Sequence, residues 1–124
     1  MTDRPVLEPS QAHPITIEPT RGRVTVRAGG ALVATTDAAL TLQEANYPAV
    51  YYIPLADVVA ELVPSDTGTY CPFKGDAGYY HLRTEGGRTV EDAVWTYREP
   101  FAAVAPIAGH VAFYPDKADV TVEA

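Results

Sequence analysis

The chain has 124 residues, of which 16 are acidic and 9 basic, for a formal net charge of −7. That length makes one domain, large enough to bury about two-thirds of its unfolded surface and fold without disulfides. The acidic balance argues against nucleic acid as a main partner and against an anionic membrane surface. One cysteine excludes both an internal disulfide and a Cys-rich zinc site.

Residues 1–14 read as a polar arm punctuated by Pro5, Pro9 and Pro14, mobile at its start. With Asp3, Arg4 and Glu8 it has no apolar run of the kind a leader peptide needs. Nor does any stretch approach the roughly 20 apolar residues of a membrane helix. A cytoplasmic location is therefore expected, and a lone reduced cysteine suits it. From Ile15 the pattern changes to short alternations: residues 15–18, then 23–27 with Val24 and Val26 on one face, then 31–35. Gly29-Gly30 between the last two predicts a hairpin, because glycine supplies the positive φ of such turns. Further strands are expected at 39–42 and at 47–54, the latter fenced by Pro48 and Pro54.

Residues 54–62 fit either one helical turn, capped by Asp57, or a strand. Residues 62–68, Leu-Val-Pro-Ser-Asp-Thr-Gly, read as a turn. A second hairpin is expected from 79–84 and 89–97 around Glu85-Gly86-Gly87-Arg88. Residues 100–108 are Ala-rich and predict one or two helical turns broken near Pro106. A strand at 110–114, a turn at 115–117 and a last strand at 119–122 complete the chain. The expectation is a mainly β single domain over 15–124, with about eight short antiparallel strands and little helix.

The densest segment runs through 67–80 and contains Cys71-Pro72-Phe73-Lys74-Gly75. Two others are Glu91-Asp92-Ala93-Val94-Trp95-Thr96-Tyr97-Arg98 and Gly109-His110-Val111-Ala112-Phe113-Tyr114. Together with Tyr47-Pro48-Ala49-Val50-Tyr51-Tyr52-Ile53-Pro54, these blocks resemble a bacterial and fungal family, domain of unknown function 427. The similarity runs from about Arg23 to Val122, with Ala49 and Phe73 at positions where the family commonly has Pro and Tyr. The resemblance implies a β-tent domain, two antiparallel sheets meeting at an angle over a pocket. That wider group includes methionine sulfoxide reductase B and the thalidomide-binding domain of cereblon. Many of its members hold structural zinc through paired Cys-x-x-Cys knuckles, which a chain with one cysteine lacks. A nucleotidyltransferase label also attaches to the family. The chain has no Asp-x-Asp, Asp-x-Glu or Glu-x-Asp pair to hold Mg²⁺ and no P-loop.

Each candidate residue has a chemical and a structural reading. Cys71 is a candidate nucleophile, since Lys74 and nearby loop amides could lower its pKa; it equally reads as a small buried hydrophobe. Lys74 beside Gly75 could hold an anionic group, or be a lysine flanking a turn. Tyr70, Trp95 and Tyr97 could wall a pocket for a flat molecule or fill the core. Alternation places Trp95 and Tyr97 on one face and sends Tyr79 and Tyr80 to opposite faces. His110 could serve as a base or as a structural hydrogen-bonding group. Asp92 could orient Lys74 or His110.

The expected function is small-molecule binding, with an enzymatic role left open. Cys71 is the catalytic candidate, and Tyr70, Lys74, Gly75, Trp95, Tyr97 and His110 are the ligand-binding ones. No metal or cofactor is expected. A non-catalytic interaction or scaffold module is the alternative, its hairpin edges offered to a partner strand or to a second copy as a homodimer. Nucleotidyl transfer is the third reading.

Overall fold

Ten strands follow one another in the computed structural model, which describes residues 4–124. They are β1 (Ile15–Pro19), β2 (Arg23–Ala28), β3 (Ala31–Thr36), β4 (Leu40–Glu44), β5 (Val50–Pro54), β6 (Glu61–Cys71), β7 (Gly75–Arg83), β8 (Thr89–Thr96), β9 (His110–Phe113) and β10 (Asp119–Glu123). Short 3-10 helices, η1 (Leu55–Asp57) and η2 (Ala102–Ile107), interrupt them. All pairings are antiparallel. Seven strands form one sheet in the order β1-β4-β5-β9-β8-β7-β6, and three form another in the order β10-β2-β3. Among the described residues no helix is long and apolar enough to cross a membrane.

Local chemistry accounts for most of the boundaries. Gly29 and Gly30 take φ of 57° and 85°, the doubly left-handed pair that a tight hairpin between β2 and β3 demands. The β7–β8 hairpin closes through Thr84 N–H to the Arg88 carbonyl at 2.9 Å. In η2, Val104 leaves helical geometry at φ −124° and Pro106 withholds a donor, so the helix never lengthens.

The count of ten exceeds the eight or so expected, and β6 is the main reason. Residues 62–68, which read as a turn, lie within this strand at the sheet edge. An edge tolerates Pro64 because no partner needs its missing N–H. The register breaks between Pro64 and Gly68, and the Ser65 and Thr67 hydroxyls there donate to the Asp92 carboxylate at 2.5 and 2.7 Å. The ambiguous segment 54–62 yields only the single turn η1. Asp57 does not cap it; its carboxylate accepts from the Thr36 hydroxyl at 2.6 Å.

Strand alternation gives the seven-stranded sheet two faces of different character. Ile53, Leu82, Val94, Val111 and Phe113 pack on Val24, Val26 and Val33 of the smaller sheet. Val59 and Ala60 N–H groups donate to the Val33 carbonyl at 2.8 and 3.2 Å and stitch the sheets together. A second cluster gathers Leu42, Tyr52, Ala77, Tyr79, Tyr97 and Ala112 with Val104 and Ile107 of η2.

From Arg4 onward, the arm lies against the β6–β7 turn. Leu7 N–H donates to the Pro72 carbonyl at 2.9 Å, and Arg4 pairs with Asp76 at 2.6 Å.

Candidate functional site

The turn at residues 71–75 sets the site. Lys74 N–H donates to the Cys71 carbonyl at 3.2 Å, Pro72 pre-sets φ at the first turn position, and Gly75 follows at φ 109°. Phe101 N–H then binds the Lys74 carbonyl at 3.0 Å. The turn directs the Lys74 side chain inward, where the residue keeps 7% of its exposure. Its Nζ donates to Glu44 Oε1 at 2.5 Å and lies 3.7 Å from Cys71 Sγ. The other Glu44 oxygen accepts from His13 Nε2 at 2.8 Å; that nitrogen carries the proton because a carboxylate offers only lone pairs. The His13 ring stacks on Phe73, with centroids 4.2 Å apart. Burial pushes the Glu44 carboxyl up, but the hydrogen bonds from Lys74 and His13 outweigh it and hold the group below its ordinary range.

Beside this ion pair lies a cavity of ≈ 240 Å³. Tyr52 of β5, Tyr79 of β7, Trp95 of β8, and Tyr97 and Tyr114 just beyond strand ends supply its aromatic walls. Leu42 and Val50 add apolar surface, and the exposed Tyr47 with Pro48 forms the rim. Most of the polar tips are satisfied. Trp95 Nε1–H donates to the Tyr52 hydroxyl at 3.3 Å, and the Tyr79 hydroxyl meets Thr69 Oγ1 at 3.0 Å and the Tyr114 hydroxyl at 3.3 Å. The Tyr97 hydroxyl makes no side-chain hydrogen bond among the described residues, although the residue is 8% exposed. No fully enclosed side-chain polar atom among them lacks a partner, so this hydroxyl opens onto the cavity. Burial pushes the Tyr52 hydroxyl up to about 12 and raises Tyr97 and Tyr114 further, so all three stay protonated at neutral pH.

Of the residues singled out by sequence, Lys74, Trp95 and Tyr97 line the cavity. Cys71 is half-buried beside Lys74 but forms no part of the wall. Tyr70 turns to the arm: its hydroxyl donates to the Pro5 carbonyl at 2.6 Å, and the Arg4 guanidinium sits 4.2 Å over its ring. Gly75 serves the turn; a Cβ there would lie 3.5 Å from the Glu99 carbonyl. His110 begins β9 off the cavity, with Nδ1 2.9 Å from the Ala108 carbonyl. Asp92 reaches neither Lys74 nor His110. It accepts from Ser65 and Thr67, and its N–H donates to His81 Nδ1 at 3.1 Å.

The sequence reading missed Glu44 and His13, and it left Tyr52, Tyr79 and Tyr114 out of the site. Alternation offered a partial signal for the tyrosines, since Val50 and Tyr52 share a face as do Trp95 and Tyr97. Nothing local marks Glu44 as the partner of a lysine 30 positions away. Among the described residues no three His, Cys, Asp or Glu side chains gather to hold a metal ion.

Fold and site together define an antiparallel two-sheet β domain with a buried ion pair beside a tyrosine-walled cavity. Residues 16–124 match the family described as Domain of unknown function (DUF427), and the chain belongs to it. The match takes in the turn at 71–75, Glu44 and every aromatic residue of the cavity, while His13 precedes it. A comparison with curated proteins finds no match.

Proposed function

We propose that this domain binds a small molecule in the tyrosine-walled cavity. The observation that supports it most is the Tyr97 hydroxyl, which opens onto the cavity from a buried residue, with no side-chain hydrogen-bond partner among the described residues, on a wall made of ring faces. Because the hydroxyl opens onto the cavity, a ligand that enters from solution can bond it in place of water. Aromatic walls with a few convergent polar groups are the usual make-up of small-ligand sites. Lys74, Trp95 and Tyr97 are the contacts in this reading, joined by Tyr52, Tyr79 and Tyr114. Cys71 stands behind Lys74 and would act on a ligand only if it reached past the cavity wall.

Trp95 is the sole tryptophan and lines the cavity, so its emission reports on the site; it also lines a neighbouring groove with Tyr51, Phe113 and Pro115, and the Tyr97→Phe variant assigns a change to the cavity. Titration with a metabolite panel that includes nucleotides and sulfoxides is expected to yield at least one saturable change that Tyr97→Phe weakens. A flat response across the panel, with Trp95 emission blue-shifted and unquenched by acrylamide, would instead make the rings part of the core.

A further inference from the structure

We infer that the cavity selects an uncharged, flat molecule carrying a carboxamide-type donor–acceptor pair, and discriminates against anions and cations of the same shape. The inference rests on the small-molecule reading above and gives it a chemical class.

Charge balance is the first observation. Among the described residues lining the cavity only two are charged, Lys74 and Glu44, and they meet at 2.5 Å with side-chain exposures of 9% and 16%. A lone buried lysine would invite an anion. Here an incoming anion finds that charge already matched and meets the Glu44 carboxylate as well. An incoming cation meets the Lys74 ammonium. Either ion would give up its hydration without gaining an unmatched countercharge, and desolvation of an ion is the dominant cost in such a place. A neutral ligand avoids that cost.

The second observation concerns the hydrogen-bonding groups still available. An ammonium has three N–H donors. Glu44 takes one from Lys74, and Cys71 Sγ at 3.7 Å faces another. No further acceptor is within reach of the third among the described residues, which leaves it for a carbonyl oxygen. The Tyr97 hydroxyl offers an oxygen to an amide N–H. A carboxamide carries both halves of that complement; an amidinium lacks the carbonyl, and a carboxylate, which the Tyr97 O–H could serve as donor, is opposed by the Glu44 charge instead.

The third observation is size and shape. At roughly 30 Å³ per water, the ≈ 240 Å³ cavity holds about eight waters and falls below the usual range for drug-sized ligands. One substituted ring fits such a volume. Trp95 and Tyr114, 4.5 Å apart and tilted by 45°, offer faces against which it would lie.

The test uses three near-isosteric probes on the full chain: benzamide, benzoate and benzamidinium. Binding is read by calorimetry and by the single indole N–H resonance of Trp95. Benzamide is expected to bind at least tenfold more tightly than either ion and to shift that resonance. Tyr97→Phe is expected to weaken benzamide at least fivefold while the protein spectrum stays folded. Glu44→Gln removes the countercharge and is expected to raise benzoate above benzamide. Should that variant not fold, the ranking on the natural protein and the Tyr97→Phe result decide. Equal or tighter binding of benzoate or benzamidinium overturns the charge selection and leaves the small-molecule reading standing. Silence from all three probes overturns the ligand class. Silence that extends to the whole metabolite panel overturns the small-molecule reading with it.

Discussion

Glu44 holds two nitrogens at once, one from a buried lysine and one from the arm, and this ties its ionisation to the fold. Its carboxyl ionises more readily in the folded chain than its ordinary value of 4.5 would allow. The sign follows from linkage: the stabilisation is fully present above that value and is lost as pH falls through the lower, folded one. Acid melts should therefore show a drop in Tm below pH 4.5 that Glu44→Gln flattens, and parallel curves for the two proteins would disprove the assignment. The sequence made Lys74 visible, because Cys71-Pro72-Phe73-Lys74-Gly75 is a turn with its own local logic. It gave no hint of Glu44 or His13, since neither residue's immediate neighbours depend on the pairing. Tyr70 carries the same phenol as the tyrosines of the wall, yet it turns to the arm. Its place in β6, and not its side chain, separates it from the tyrosines that face the cavity.

Among the elements, β8 departs from a regular strand near its middle. Asp92 sits in it at φ 48°, a left-handed conformation rare for a residue with a side chain, and the β7–β8 register slips between Tyr80 and Leu82. Ser65 and Thr67 of the edge strand hold that bulge by donating to the Asp92 carboxylate. Asp92→Ala loses those bonds and keeps a strained backbone, whereas Asp92→Gly loses the same bonds but relaxes it. Urea denaturation should find the alanine variant less stable than the glycine one by about 1 kcal/mol, the reverse of their usual order inside a strand. This coupling also explains why β6 was illegible. Pro, Ser, Asp, Thr and Gly in succession describe a turn to any local reading. Here the edge position tolerates the proline, and a residue 27 positions on accepts the serine hydroxyl. The hairpins at Gly29-Gly30 and at 84–88 were legible because everything they require lies inside the turn itself.

Across the whole molecule, the arm bridges parts that the sheets alone leave apart. Leu7 binds the β6–β7 turn, His13 covers Phe73 and reaches Glu44, and Ala45 N–H donates to the Pro14 carbonyl at 2.8 Å. Removing residues 1–14 should lower the melting temperature and speed the native alkylation of Cys71 by iodoacetamide, read by intact mass as a single unambiguous addition. Unchanged Tm and labelling rate would mean that the arm contacts are incidental. A two-sheet β domain with little helix was accessible from alternation and turn residues. How the arm meets the turn was not, because Arg4–Asp76 and Tyr70–Pro5 join residues 72 and 65 positions apart.

The smaller sheet closes late in chain order. β2 lies between β3, its immediate successor, and β10, whose register with it runs from Asp119 opposite Arg27 to Glu123 opposite Arg23. On a ribosome, β2 and β3 are made as a hairpin and then wait through the synthesis of residues 37–118 for the third strand. During that interval β2 presents bare amide and carbonyl groups, the kind of template on which neighbouring nascent chains pair wrongly. Arg23, Thr25 and Arg27, which alternate with the buried Val24 and Val26, give that waiting edge charge and polarity on its outer face.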